Sequence, residues 1–319
     1  MSAEGPVRRK IIIDTDPGVD DAVAILLALA AREELEVAGI VAVAGNLPLA
    51  QTQRNARLAC ELAGRPDIAV YAGCARPLLR PPASAAAIHG DSLSERLRLP
   101  EPTMPLQAQH GVDFIIETLR RAEPAEVTLA ALGPLTDLAM ALVKAPEIMS
   151  KIGEVVIMGG AGFEIGNVTP AAEFNIHVDP HAAAIVLEAG VPITLIPLDV
   201  THQVLSTPAR IAALGALPNR CGPAVAELLT GFEGTRTARF AERGMALHDP
   251  CVIANLLRPT LFSGREVNVA VETASPLTGG MTVVDWWGVT GRPANARFLT
   301  TVDADEVYVQ LIERLALLP

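Results

Sequence analysis

Five short segments of this chain are continuously apolar and rich in β-branched residues, at 10–14, 37–43, 127–131, 155–158 and 192–196. Strands open to water on one face alternate apolar with polar residues, whereas strands covered on both faces do not. Between these segments lie stretches with helical spacing, at 20–31, 49–63, 112–122, 135–144 and 180–189, with Gly and Pro at the junctions. A repeated strand–helix unit of this kind folds as a mostly parallel central sheet flanked by helices, a Rossmann-like α/β architecture. After residue 196 the rhythm changes. Helices are expected at 207–216, 224–240 and 250–257, short strands at 266–271, 281–284 and 297–302, and a closing helix at 305–317. Segments 77–94 and 218–244 read as loop-rich candidates for lids. No long linker, low-complexity tract or internal repeat is visible, so the expectation is one domain over residues 1–319.

Composition removes several classes of function. The net charge is -11, from 25 basic and 36 acidic residues, and the densest basic spot is Arg8-Arg9-Lys10. A nucleic-acid partner needs a concentrated positive field, which this chain lacks. The four cysteines, Cys60, Cys74, Cys221 and Cys251, form no C-x-x-C pair, so neither a thiolate zinc site nor a redox motif is signalled. The longest apolar run, 22–31, is too short to span a bilayer, and residues 1–6 do not read as a secretory leader. The expectation is a cytoplasmic protein with no membrane partner.

The first strand runs into Asp14-Thr15-Asp16-Pro17-Gly18-Val19-Asp20-Asp21. Asp14 and Asp16 share one strand face, Pro17-Gly18 turns the chain, and Asp20 and Asp21 open a helix whose N-terminal dipole favours negative charge. A single Asp at a helix start is usually a cap. Four beside an Ile-rich buried strand repel one another unless a cation compensates, and an all-oxygen donor set selects a hard ion, Ca²⁺ or Mg²⁺. Haloacid-dehalogenase-like phosphatases also carry Asp-x-Asp at the end of their first strand, with Thr or Val two residues after the second Asp. Here that position is Gly18, a poor match.

Later strand ends are polar or glycine-rich as well: Gly45-Asn46, Gly133-Pro134-Leu135-Thr136 and Met158-Gly159-Gly160-Ala161-Gly162. Glu173 and Asn175, two apart, suit the binding of hydroxyl groups, and His248-Asp249-Pro250 precedes an apolar helix. Singly, each would pass for a turn, a solvated loop or a cap.

Together these pieces resemble the inosine–uridine-preferring nucleoside hydrolase family. DTDPGVDDA looks like its N-terminal signature. Gly45-Asn46, GPLTDLA from Gly133, VVIMGG from Val155, AEFNIHVDP from Ala172 and HDP from His248 look like its later blocks, in the family's order. The resemblance implies a Ca²⁺-dependent enzyme that hydrolyses the N-glycosidic bond of ribonucleosides to free base and ribose. By the same resemblance Asp16, Asp21, Asp249 and the Thr136 carbonyl would hold the ion. Asp20, Asn46, Met158, Glu173, Asn175 and Asp249 would meet the ribose, with Asp14 in support. Asp16 would activate a water as general base, and His248 would protonate the leaving base, which His89 also approaches. A homodimer or homotetramer is implied.

The base end of the pocket departs from the family pattern. The stretch before His248, where tyrosines are expected, holds Arg236 and Arg239 instead, so base preference stays open between purine, pyrimidine and a modified nucleoside. Trp286-Trp287 reads as an aromatic lid, a buried pair or a subunit contact. The competing class is a non-catalytic nucleoside- or ribose-binding protein that keeps the ion cluster without turnover.

Overall fold

The computed structural model describes residues 8–82, 93–231 and 244–319. Its frame is a ten-stranded sheet in the order β11-β10-β12-β7-β6-β5-β1-β2-β3-β4. The strands are β1 Arg9–Thr15, β2 Leu35–Ala42, β3 Val70–Ala72, β4 Leu106–His110, β5 Val127–Ala131, β6 Ile152–Met158, β7 Ile193–Ile196, β10 Phe262–Val271, β11 Thr282–Asp285 and β12 Ala296–Val302. Strands β8 Leu205–Ser206 and β9 Met245–Ala246 form a separate antiparallel pair. Every pairing from β4 across to β12 is parallel; only β10 runs against its neighbours β12 and β11. The five continuously apolar segments are β1, β2, β5, β6 and β7, side by side at the centre, as expected of strands covered on both faces.

Two strands of the main sheet escaped sequence analysis, as did the two-residue strands β8 and β9. β3 has three residues, and β4 (Leu106-Gln107-Ala108-Gln109-His110) is a polar edge strand, so neither carries a continuous apolar run. The helix expected at 224–240 starts earlier, as Cys221–Gly231; residues 232–240 lie outside the described residues, as do His89, Arg236 and Arg239. No described helix is long and apolar enough to cross a membrane.

The chain steps outward from β1 through β2 and β3 to β4, then returns to β5 on the other side of β1 and steps outward again to β7. The direction of travel therefore reverses between β1 and β5. At such a switch point the connecting loops part and leave a crevice beyond the carboxyl ends of the strands. Two apolar layers cover the sheet faces. Helix α1, Val19–Ala30, is buried over its whole length, between the sheet and the helices Leu49–Leu62, Pro250–Leu257 and Ala304–Leu315. A helix that is apolar all round is an interior helix. Its first turn, with Asp20 and Asp21, is consequently interior too.

Candidate active site

Strand β1 places Asp14 between Val41 of β2 and Ala131 of β5, so the chain leaves the sheet at the switch point. Asp16 follows, the turn at Pro17-Gly18 reverses the chain, and α1 begins. Asp21 caps that helix. Its Oδ2 accepts the Gly18 N–H at 3.0 Å, and its Oδ1 accepts the Thr15 hydroxyl at 2.6 Å and the Asp16 N–H at 3.2 Å. Asn46, just past β2, binds both acids: its N–H meets Asp16 Oδ2 at 2.6 Å and its Nδ2 meets Asp21 Oδ2 at 3.2 Å. Gly45 and Gly133 make the space. A Cβ at Gly45 would fall 2.2 Å from Asp16 Oδ2, and one at Gly133 2.5 Å from Asp16 Oδ1.

Asp249 enters from the start of the helix Pro250–Leu257, which packs against α1. Donor oxygens of Asp20, Asp21 and Asp249 all lie within 4.8 Å of one another. Asp16 and Asp21 are wholly buried, and Asp249 and Asp20 nearly so. Burial, and then the charges of Asp21 and Asp20, push the Asp16 carboxyl well above the usual carboxylate range. Burial, then Asp20, Asp21 and Asp16, do the same to Asp249. Asp20 is raised to about 7 by burial and then by Asp21, although the backbone N–H groups of Asp249 and His248 moderate the rise. Behind the cluster, burial and then Asp137 raise Asp14. No lysine or arginine among the described residues pairs with Asp16, Asp20, Asp21 or Asp249.

Four mutually repelling carboxylates in the interior are tolerable as anions only beside a cation. The donors are all oxygen, the ligand type of Ca²⁺ and Mg²⁺. Asp16 Oδ1 is buried and has no hydrogen-bond partner, a state that calls for a ligand. The residues present therefore fit a hard divalent ion.

Beyond the acids, the ends of β5 and β6 are stitched by Asn175. Its Nδ2 donates to the Leu132 carbonyl at 2.6 Å and to the Met158 carbonyl at 3.2 Å. Glu173 caps the short helix Phe174–Val178, accepting the N–H groups of Asn175, Gly160 and Ile176, yet burial still raises it to about 7. Leu132 in turn donates its N–H to the Asp14 carbonyl, so this second group is tied to the first. Thr136 is buried at a helix start, its hydroxyl donating to Asp179 Oδ2 at 2.8 Å. The same Asp179 oxygen receives the Leu78 N–H at 2.8 Å. His248 is half-buried, its Nδ1 2.8 Å from the Thr201 hydroxyl. Nearby, the His202 ring lies 6.0 Å from that of His248, with His202 Nδ1 3.1 Å from Glu164 Oε2.

Thus Asp16, Asp20, Asp21, Asn46, Thr136, Met158, Glu173, Asn175, His248 and Asp249 all stand at or beside strand ends or helix starts; contacts join Asp16, Asp20, Asp21, Asn46, His248 and Asp249 in one group and Met158, Glu173 and Asn175 in a second. Trp286 stands edge-on to Phe163 at 5.1 Å and under the Arg265 guanidinium at 4.5 Å, whereas Trp287 is 81% exposed. Sequence analysis passed over Asp137, Asp179, Asp199 and Thr201, all buried polar groups of this region. The signal was present at 199–202, where Asp-Val-Thr-His follows a continuously apolar strand just as the first acids follow β1.

The chain matches the family model described as inosine–uridine preferring nucleoside hydrolase over residues 11–309. It is similar to an uncharacterised protein of Schizosaccharomyces pombe, 54% identical over 97% of this chain and 100% of that protein. It is 45% identical to the pyrimidine-specific ribonucleoside hydrolase RihA of Salmonella gallinarum, over 96% of this chain and 97% of that enzyme. Among solved structures, the purine-preferring ribonucleoside hydrolase from Gardnerella vaginalis superposes with a TM-score of 0.88 at 32% identity, covering 97% of this chain and 98% of that one.

Proposed function

The chain belongs to the inosine–uridine preferring nucleoside hydrolase family, and from that premise we propose that it cleaves ribonucleosides to free base and ribose with Ca²⁺ held by Asp16, Asp21, Asp249 and the Thr136 carbonyl. It is a ribonucleoside N-ribohydrolase. The observation that carries the ion assignment is the buried cluster of carboxylates, paired with no lysine or arginine among the described residues, with Asp16 Oδ1 unpartnered. When bound, the ion would supply a Lewis acid for the attacking water and an anchor for the ribose diol.

The chain's own groups do the rest. Asp16 is held through Oδ2 by the Asn46 N–H, which leaves Oδ1 to take the proton of the water. Asp20, Asn46, Glu173 and Asn175 engage the ribose hydroxyls, and Met158 lines the pocket beside them. The cleavage passes through an oxocarbenium-like transition state, so positive charge grows on the ribose while it is surrounded by carboxylates, which is stabilising. His248 donates a proton to the departing base.

The names of the relatives divide between pyrimidine and purine, so the test is a panel of both, incubated with Ca²⁺ and read by ribose release. Hydrolysis of at least one ribonucleoside, abolished by exhaustive chelation and restored by Ca²⁺, is expected. Full activity in metal-free protein would remove the ion from the reading. Calorimetric binding of nucleosides with no product would replace the enzyme by a binding protein.

A further inference from the structure

We propose that Thr282, on the edge strand β11, is a positioning residue for Glu173: its hydroxyl clamps Ala161 and so sets the turn whose N–H holds the Glu173 carboxylate. The inference rests on the reading of Glu173 as a ribose ligand. It concerns what keeps that carboxylate in place.

The turn after β6 has little stiffness of its own. Residues 159–162 are Gly-Gly-Ala-Gly, and glycine leaves the backbone freer than any other residue. Gly160 lies at φ +83°, in the left-handed region. Each residue of the turn is therefore tied to another part of the chain. The Gly159 N–H donates to the Ile196 carbonyl at 3.2 Å, and the Gly160 carbonyl accepts the Leu198 N–H at 2.9 Å. The Gly162 N–H donates to Asp199 Oδ2 at 2.8 Å. The Gly160 N–H donates to Glu173 Oε2 at 3.1 Å.

Ala161, in the middle of the turn, is held by Thr282. Its N–H donates to Thr282 Oγ1 at 2.9 Å, and that hydroxyl donates to the Ala161 carbonyl at 2.6 Å. Both directions are fixed, because an amide N–H only donates and a carbonyl only accepts. Thr282 is set in turn by β10, where it stands opposite Val271. Thr282 is 2% exposed and Ala161 5%. Removing the hydroxyl would leave a buried N–H and a buried carbonyl without partners, and the turn would have to move to find others. The fit is close: a Cβ at Gly160 would fall 2.9 Å from Thr282 Cγ2. A shift at Ala161 is thus passed directly to Gly160.

Glu173 depends on that neighbour. Two of its bonds, to the N–H groups of Asn175 at 2.9 Å and Ile176 at 3.2 Å, lie within its own helix start. The Gly160 bond is the one that reaches the end of β6. It sets the carboxylate against the strand end that Asn175 also grips through the Met158 carbonyl.

The test uses full-length protein with Ca²⁺ and the variants Thr282→Val, Thr282→Ser, Glu173→Ala and the double variant Glu173→Ala with Thr282→Val. Thr282→Val should raise KM for a ribonucleoside roughly fivefold, about the worth of one hydrogen bond, with kcat within about twofold of native. Thr282→Ser, which keeps the hydroxyl, should restore KM. In the Glu173→Ala background, whose KM is already raised, adding Thr282→Val should cost nothing further, because the group it positions is gone. Calorimetric Ca²⁺ affinity should be the same in native protein and Thr282→Val. Should Thr282→Val not fold, Thr282→Ala is read by the same criteria. An unchanged KM in the Thr282 variant, equal losses with and without Glu173, or a Ca²⁺ affinity that falls with the rise in KM overturns the proposal and leaves the ribose reading standing. An unchanged KM in Glu173→Ala overturns the ribose reading of Glu173 and this inference with it.

Discussion

Replacing Asp20 by asparagine in ion-stripped protein is expected to stabilise the fold, the reverse of the usual sign at a buried polar position. Asp20 titrates at about 7 instead of 3.8 because burial, and then Asp21, disfavour its charge. Below the unfolded value the group is protonated in both folded and unfolded chains, and its site imposes no penalty. As pH rises the unfolded chain releases its proton first, so the folded chain loses stability progressively until pH passes the folded value. Once both states are ionised, a shift of about three pKa units at roughly 1.4 kcal/mol each amounts to roughly 4 kcal/mol. The amide keeps an oxygen for the N–H groups of His248 and Asp249 and carries no charge. Because Asp16, Asp21 and Asp249 share the repulsion, the gain is set lower, at about 2–4 kcal/mol, or several degrees in Tm. Calorimetric melts in chelator from mildly acidic to mildly alkaline pH check this; the gain should grow with pH. Saturating Ca²⁺ should narrow the difference, since the ion offsets the repulsion that makes the Asp20 charge costly, while stabilising both proteins through ligands that the substitution leaves in place. An Asp20→Asn protein less stable than the native one in chelator above the folded pKa, or a difference that ignores pH, would refute the reasoning.

Two further outcomes follow from packing and hydrogen bonding. Gly73→Ala would put a Cβ 1.9 Å from Asp137 Oδ2, a buried carboxylate that also accepts the Cys74 N–H, so urea unfolding should show a loss of about 1–3 kcal/mol. Asn175→Ala strands the Leu132 and Met158 carbonyls; a stability loss of about 1–3 kcal/mol, with raised KM for nucleosides, is expected from melts and initial rates.

The amino-acid sequence by itself determined the parallel sheet and the existence of the acid site. Continuous apolar runs mark β1, β2, β5, β6 and β7 because both faces of those strands are covered, and that information is local. The acids at 14, 16, 20 and 21 are likewise adjacent in the chain, so their mutual repulsion could be read before any folding. Asp249 and Thr136 came only through the family resemblance. β3 stayed hidden because three residues set no pattern, and β4 because an edge strand needs no apolar continuity. What only the tertiary structure decided is which distant groups meet. The reversal between β1 and β5 opens the crevice, and strand order is not written in any local period. Thr201 finds His248 across 47 residues, and Asp179 finds Leu78 across 101. Such hydrogen bonds are selected by burial: each closes a long loop at an entropic cost that only the assembled core repays, so no short stretch of sequence carries their signature.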